Sequence, residues 1–262
     1  RALTEDAQLE GLVWKYVTWF YGQMDMISVP SAATADELVC KGLPRDKMVV
    51  HQSGINTSKF HPAKRNGYFQ THYSLTEPVT KLIYVGRVSK EKNLQVLAAI
   101  IRTMSQVGNN VCLVVVGEGP YLTQMQNTCR DLPVLFTGYL GGDDLAQAYA
   151  SSDIFVFPST VDTMGSAVIE AQASGLPVIV TDQGGPQENM LDGETGMVVP
   201  ADEHMADGFV QAISRLCDNP DLMAGMGHKA RTYAQRYSCQ ESFLSFWKAS
   251  CHRNGQAQPE RG

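Results

Sequence analysis

Short apolar runs alternate along this chain with longer segments that carry apolar residues on one face only. The runs without a charged residue include Leu82–Val85, Val111–Val116, Ile154–Phe157 and Val178–Val180. Such runs are typical of strands buried on both faces of a parallel sheet, and the amphipathic segments between them are typical of covering helices. The alternation predicts an α/β fold, with a Rossmann-like parallel sheet flanked by helices.

The first part of the chain repeats this pattern on a smaller scale. Segment 9–24 places apolar and aromatic residues at helical spacing, and we expect its Trp14, Val17 and Phe20 face to pack on a core. An aromatic helix at a membrane interface is the alternative. Lys15 is the only basic residue in the segment, which argues against that alternative.

Changes in pattern divide the chain into five parts. Residues 1–51 combine the helix just described with two short strands and a second helix. Residues 52–62 hold a glycine and a proline without periodicity, so we interpret them as a linker. The main α/β pattern fills residues 63–237, and residues 238–251 form a last helix. The polar residues 252–262 are expected to be disordered.

Composition narrows the classes of function. A net charge of −6 and a pI near 5.5 argue against nucleic acid as the main partner. No apolar run approaches the ~20 residues that a transmembrane helix needs, and no secretory signal opens the sequence. The six cysteines form no CxxC pair, so we expect reduced thiols and a cytoplasmic location. His51, His61 and His72 lack metal-ligand spacing, and no metal site is predicted.

The segment from Ile154 to Val180 carries the strongest indication of a ligand site. Its pattern of strand, turn, glycine-initiated helix and strand would place the helix N-terminus at the carboxyl end of the sheet. The free N–H groups expected there, which would bind an anion, are those of Gly165, Ser166 and Ala167. Asp162 and Glu170 bracket this turn. Free amides between two carboxylates suit a ligand that is part phosphate and part polyhydroxyl, such as a nucleotide sugar.

Other loops that follow strands add candidate contacts. Gly86 and Arg87 end one strand, and Lys92 lies on the same loop. From spacing alone, the two cations could bind an anion or could be ordinary surface charges. Gly117, after the next strand, would let a ligand approach the backbone closely. The Gly-x-Gly sequence there lacks the third glycine of a dinucleotide-binding motif.

The central segment resembles a signature of retaining GT-B glycosyltransferases of group 1. Asp162 and Glu170 match the acid-x7-acid pattern of that family, and a helix and a Gly-x-Pro-Val strand follow. Asp162 stands where the family commonly has Glu. The resemblance implies that Asp162 contacts hydroxyl groups of the donor sugar and that Glu170 contacts the ribose.

Two further loops resemble those of the same family. Gly86-Arg87 followed by Lys92-Asn93 is similar to its diphosphate clamp, which implies that the two cations neutralise the departing nucleoside diphosphate. The loop 138–141 is similar to the one that holds the nucleobase, partly through backbone groups. Tyr139 could stack on the base or pack at the strand edge, and both interpretations stay open.

The resemblance therefore implies three catalytic positions, Arg87, Lys92 and Asp162, with no metal and no cofactor. The donor-binding positions that it implies are Gly86, Asn93, Gly117, Tyr139, Leu140, Gly141, Thr163, Met164, Gly165, Ser166, Ala167 and Glu170. It extends over roughly residues 10–250. It implies that 1–51 is the end of an acceptor-side domain, 52–62 an interdomain hinge, 63–237 the donor-binding domain, and 238–251 a helix that crosses back.

The implied function is transfer of a sugar, with retention, from a nucleoside diphosphate sugar to a lipid or glycan acceptor. The resemblance also allows peripheral contact with the inner face of a membrane. The alternatives are a sugar-nucleotide epimerase or phosphorylase of the same fold, or a non-catalytic nucleotide-binding domain. Because fewer than about 60 residues precede the hinge, too few for a domain of ordinary size, we expect the chain alone to bind donor weakly and to transfer nothing.

Overall fold

The structure, a computed structural model, describes residues 7–75 and 78–256. Residues 1–6, the start of the predicted acceptor-side part, lie outside the described residues. The smaller lobe consists of α1 (Ala7–Gly22), β1 (Ile27–Val29), α2 (Ala32–Cys40) and β2 (Met48–Val50). Strands β1 and β2 pair in parallel, and the Ser31 side chain caps α2.

Helix α1 does not pack on a core, so that prediction is wrong. Trp14 and Val17 are half-buried and Phe20 is 41% exposed, while the buried cluster of this lobe comes from β1, α2, β2 and their connections. Two three-residue strands cover too little area to bury α1 as well as α2. The helix is held by a hydrogen bond from the Thr18 hydroxyl to Lys41 O (3.2 Å), and the Lys41 ammonium lies 5.1 Å from the Trp14 ring centre.

A six-stranded parallel sheet forms the larger lobe, in the order β5-β4-β3-β6-β7-β8. Helices lie before, between and after the strands, and the predicted Rossmann-like α/β fold is confirmed. The elements of this lobe in chain order are α3 (Tyr68–Tyr73), β3 (Thr80–Val85), α4 (Leu94–Gln106), β4 (Val111–Val116), α5 (Leu122–Thr128), β5 (Val134–Gly138), α6 (Gly142–Ala150), β6 (Ile154–Phe157), α7 (Ser166–Ala173), β7 (Val178–Thr181), β8 (Gly196–Val199), α8 (Met205–Cys217), α9 (Pro220–Ala234) and α10 (Cys239–Gln256).

The direction in which strands are added reverses between β3 and β6. Strands β3 to β5 extend one half of the sheet, and the chain then returns to place β6 beside β3, where Leu82 pairs with Ile154 and Ile83 with Phe155. None of these four side chains is exposed, so the centre of the sheet is a close-packed apolar base. Open parallel sheets bind ligands at the carboxyl ends of the strands that flank such a reversal.

Two segments carry more structure than their composition indicates. Residues 63–80 are rich in polar and turn-forming residues, yet α3 lies among them and buries Tyr68 and Phe69. Helix α10 continues to Gln256, past residue 252, where the composition predicts a disordered end. Extending an existing helix adds one hydrogen bond per residue, which explains this continuation. Residues 257–262 lie outside the described part.

Helix α10 contacts the segment between the two lobes. The Ser242 hydroxyl donates to Gln52 O (2.6 Å), and the ring centres of His51 and Phe246 lie 5.0 Å apart. These contacts attach the end of the chain to the predicted hinge. Within the described ranges, no helix is both long and apolar enough to cross a membrane.

Candidate functional site

Two adjoining cavities open at the carboxyl end of β3. The first, of about 430 Å³, lies between the loop after β3 and the start of α7. The second, of about 390 Å³, lies between the ends of β3 and β4 and the loop after β5. Val85, Gly86 and Arg87 line both. The two cavities therefore form one cleft, at the point where the strand order reverses.

The start of α7 supplies backbone donors to the first cavity. Gly165 precedes the helix with φ of +70°, and no side chain caps this end. A Cβ atom at Gly165 would lie 2.9 Å from the Pro186 Cα, so both the backbone conformation and the space require glycine. Gly165, Ser166 and Ala167 all line the cavity, as the motif predicts. An uncapped helix N-terminus of this kind attracts anions.

An ion pair spans the same cavity. Lys92 Nζ lies 2.7 Å from Asp162 Oδ2, and the two side chains are 16% and 24% exposed. Beneath them the buried Tyr84 hydroxyl donates to Arg87 O (3.0 Å), which fixes the backbone of the loop after β3. Burial, helped by the charge of Asp162, raises the pKa of the Tyr84 hydroxyl well above its usual value, so this tyrosine stays a donor.

Glu170 lies behind the first turn of α7 and is half-buried. The hydroxyl of the fully buried Tyr149, on α6, donates to Glu170 Oε2 (3.1 Å). Burial raises the pKa of the Glu170 carboxyl, and the hydrogen bond from Tyr149 acts in the opposite direction. Tyr149 therefore fixes one carboxylate oxygen and leaves the other for a further partner.

The second cavity depends on close backbone contact between two strand ends. Gly117 has φ of +133°, and a Cβ atom there would lie 2.0 Å from Gly86 O. Tyr139 and Leu140 line the far side of this cavity. The Tyr139 side chain is 74% exposed, so the interpretation that it packs at the strand edge is wrong. Stacking on a ligand stays a prediction for this ring.

The structure brings most of the predicted site residues into the cleft. Those that line the first cavity are Gly86, Arg87, Lys92, Asp162, Thr163, Met164, Gly165, Ser166 and Ala167. Gly86 and Arg87 also line the second cavity, with Gly117, Tyr139 and Leu140. Asn93, Gly141 and Glu170 are outside both sets of lining residues.

Asn93 lies beside the cleft, and its predicted contact with the donor stays a prediction. Its backbone is left-handed, with φ of +55°, and its side-chain amide donates to Pro158 O (3.1 Å) and to the Thr160 hydroxyl (3.3 Å). The side chain therefore ties the start of α4 to the loop after β6. Gly141 likewise precedes α6 as the residue at its N-terminal cap.

The cleft also contains residues that the motifs do not identify. Tyr84, Glu91 and Phe157 line the first cavity, and Glu118 and Leu145 line the second. Tyr84 could have been found as the polar side chain in the otherwise apolar run Leu82–Val85. The others carry no distinguishing signal in the sequence.

Comparisons with known proteins bear on this cleft. A family model described as "Glycosyl transferases group 1" matches residues 79–219, which is just over half of the chain and contains the whole cleft. A GDP-mannose-dependent alpha-mannosyltransferase from Mycobacterium tuberculosis (strain CDC 1551) is 33% identical over 225 residues, 84% of this chain and 53% of that relative. A sulfoquinovosyl transferase from Arabidopsis thaliana is 30% identical over 233 residues, 86% of this chain and 44% of that relative.

Solved structures share the fold. HepE from Anabaena, crystallised with UDP and glucose, matches with a TM-score of 0.81 at 17% identity, over 92% of this chain and 67% of that one. The chain spans about half the length of the curated relatives just described.

Proposed function

Because this chain belongs to the group 1 glycosyl transferases, as its motifs predict, we propose that it binds the sugar donor of a retaining enzyme. The donor would be a nucleoside diphosphate sugar. The observation that carries this proposal is the single cleft across β3, with cations and free amides at one end and an exposed aromatic ring at the other. A nucleotide sugar likewise carries its sugar and its negatively charged diphosphate towards one end and its aromatic base at the other.

The diphosphate would lie against Arg87, Lys92 and the start of α7. Helix amides and fixed cations stabilise negative charge without rearranging at the moment of reaction. A charge at a helix N-terminus gains roughly 0.3–1 kcal/mol when exposed and more when partly buried. We propose that these groups replace the divalent ion that other nucleotide-sugar enzymes use.

The ion pair between Lys92 and Asp162 indicates how the sugar would be held. If a phosphate oxygen of the donor bound Lys92, the Asp162 carboxylate would lose its ion-pair partner and would lack hydrogen-bond donors. Hydroxyl groups of the sugar can supply those donors at the same place. Retention at the anomeric carbon is proposed from the acid-x7-acid spacing of Asp162 and Glu170.

The base would occupy the second cavity, against Tyr139 and the backbone of the strand ends. The name of the mycobacterial relative mentions GDP-mannose, and the Anabaena structure contains UDP, so proteins of this fold bind different bases. Recognition through backbone groups fits this variation. A lipid or glycan acceptor, a cytoplasmic location and contact with a membrane surface stay predictions.

Calorimetric titration of the chain with UDP, GDP and ADP tests the proposal. We expect one nucleotide to bind, and Lys92→Ala to weaken it by about tenfold or more, the effect of one charge-assisted hydrogen bond. Lys90→Ala is the matched control, because it removes the same charge from the same loop, outside the cavity lining. Equal binding by all three proteins would refute the site.

If the chain binds none of the three nucleotides, the same titration is made on the whole protein. Absence of binding there would refute the function. Incubation of the whole protein with a nucleotide sugar then separates the alternatives. An epimerase would release a changed sugar nucleotide without acceptor. A transferase and a non-catalytic domain would both leave the donor unchanged under these conditions, and only the transferase would consume it once a lipid or glycan acceptor is added.

A further inference from the structure

A short segment after β7 lies between the smaller lobe and the cleft. We call residues 184–189 the bridging segment; it contains Gly184, Gly185 and the 3₁₀ turn Pro186–Asn189. Residues 162–165, which line the first cavity, are called the donor loop. The bridging segment contacts helix α2 on one side and the donor loop on the other.

The contact with the smaller lobe is made by one carboxylate. Glu188 accepts hydrogen bonds from Ala32 N–H (2.7 Å) and Ala33 N–H (2.8 Å), the first two amides of α2. The next amide, of Thr34, donates to the Ser31 hydroxyl (3.1 Å). The first turn of α2 is therefore satisfied largely from the other lobe, and the negative charge meets the positive end of the helix.

The contact with the donor loop is made backbone to backbone. Gly185 N–H donates to Asp162 O (2.8 Å). A Cβ atom at Gly185 would lie 2.1 Å from Thr163 O and 3.1 Å from the Ser31 Cβ. One glycine thus touches both the donor loop and the residue that caps α2, with no room for a side chain. A displacement of α2 would therefore change the contacts that Gly185 makes.

Asn189 adds a second connection, and it is 1% exposed. Its side-chain amide donates a hydrogen bond to Met164 O in the donor loop. Its side-chain oxygen accepts from Gln52 Nε2 in the predicted hinge (2.6 Å), and its backbone carbonyl accepts from Gln172 Nε2 of α7 (2.6 Å). The hinge and the donor loop therefore share one buried residue, and the burial of Asn189 keeps water from replacing either bond.

We propose that Glu188 and Asn189 are positioning residues, which make the geometry of the donor loop depend on the position of the smaller lobe. If α2 moved away, Glu188 would lose two amides. If the hinge moved with it, Asn189 would lose Gln52, so the bridging segment that holds the donor loop would lose its outer contacts. By reciprocity, a ligand that orders the donor loop would favour the contact between the lobes. The identity of that ligand rests on the proposed function, whereas the coupling itself does not.

Amide hydrogen exchange on this chain, read by mass spectrometry, tests the coupling without any ligand. Glu188→Ala removes the carboxylate. Ala32→Pro removes one of its two partners from the opposite lobe, at the first helical position, where proline is tolerated. Ser31 already has the extended backbone that precedes proline, with φ of −154° and ψ of 161°. Glu194→Ala is the control, since it deletes an equal charge at an exposed position on the same connection.

Both test variants should speed exchange in peptides that cover residues 160–168 by about tenfold, the effect of losing one charge-assisted hydrogen bond. The control should leave these peptides unchanged. Faster exchange confined to residues 31–40 and 184–189 in both variants would overturn the proposal. If Glu188→Ala fails to fold, Ala32→Pro decides alone.

Titration of the same proteins with UDP and GDP gives a second reading. We expect weaker binding in both test variants, with circular dichroism unchanged. If the unaltered chain binds neither nucleotide, titration of the whole protein decides the proposed function, while the exchange rates of this chain still decide the coupling. Normal binding together with unchanged exchange in the donor loop would reject the role of Glu188.

Discussion

Removal of the Tyr149 hydroxyl should destabilise the fold by weakening the support of Glu170. Tyr149 has no exposed surface, and its hydroxyl donates to Glu170 Oε2 at 3.1 Å. Tyr149→Phe deletes this bond and keeps the ring, so no large cavity forms. The hydroxyl's other contact, with Ala167 O at 3.4 Å, is too long to matter much.

The expected cost is about 1.5 kcal/mol. Hydrogen bonds to charged groups contribute ~1.5–3 kcal/mol, and the distance here is longer than the usual 2.7–2.8 Å for O–H···O contacts, so the lower end applies. The same loss should weaken nucleotide binding if Glu170 contacts the ribose, since the carboxylate would no longer be held in one orientation.

The effect should depend on pH. Burial holds the pKa of the Glu170 carboxyl above its ordinary value of 4.5, and the bond from Tyr149 lowers it. The folded chain therefore binds this proton more readily than the unfolded chain does, and stability falls as pH rises through the interval above 4.5. Tyr149→Phe raises the pKa further, so its cost should be full at pH 7 and should shrink towards pH 4.

Urea unfolding of Tyr149→Phe, Glu170→Ala and the double variant measures the coupling directly. We expect an interaction free energy of about 1.5 kcal/mol at pH 7, and no effect from Tyr16→Phe, which removes a hydroxyl from a tyrosine that is 62% exposed. An interaction below about 0.5 kcal/mol at pH 7 would refute the reasoning.

Three further substitutions follow from the structure. Gly117→Ala should lower the free energy of unfolding by more than about 2 kcal/mol, because its Cβ atom would lie 2.0 Å from Gly86 O; an unchanged thermal midpoint would contradict this. Tyr139→Ala should leave the thermal midpoint unchanged and weaken nucleotide binding by about tenfold if the ring stacks on the base, and equal affinity would exclude stacking. Arg231→Ala should cost ~2–3 kcal/mol in urea unfolding, since one guanidinium nitrogen serves three backbone carbonyls at 2.7–3.0 Å, and a loss under about 0.5 kcal/mol would show that water replaces it.

The sheet and the cleft could be predicted because their signals are local. Strands β3, β4, β6 and β7 contain continuous apolar runs. A short apolar run with glycine or proline at its ends indicates a buried strand rather than a helix. Gly165 marks a helix start because only glycine suits its backbone and space. Parallel strands bring their carboxyl ends together, so residues from separate loops could be assigned to one site without knowing a single contact.

Contacts between distant residues could not be predicted. Glu188 meets the amide of Ala32 across 156 positions of sequence, and its partners are backbone groups that carry no sequence signal. For the aromatic face of α1, the sequence signal was present, but the packing inferred from it was wrong. Helical spacing identified a face with Trp14 and Phe20, but periodicity does not tell whether the neighbouring lobe is large enough to cover it.

The charged side chains that line the first cavity limit the class of ligand that the cleft should bind. Its charged side chains are Arg87, Glu91, Lys92 and Asp162, so its formal charges cancel. Lys92 is already paired with Asp162 at 2.7 Å. A free diphosphate that binds Lys92 would leave the partly buried Asp162 carboxylate without an ion-pair partner. That loss would reduce the free energy of binding. A ligand that brings hydroxyl donors along with its phosphates compensates both partners of the broken ion pair. A nucleotide sugar has both groups on one molecule, and the cleft should therefore favour it over a free diphosphate.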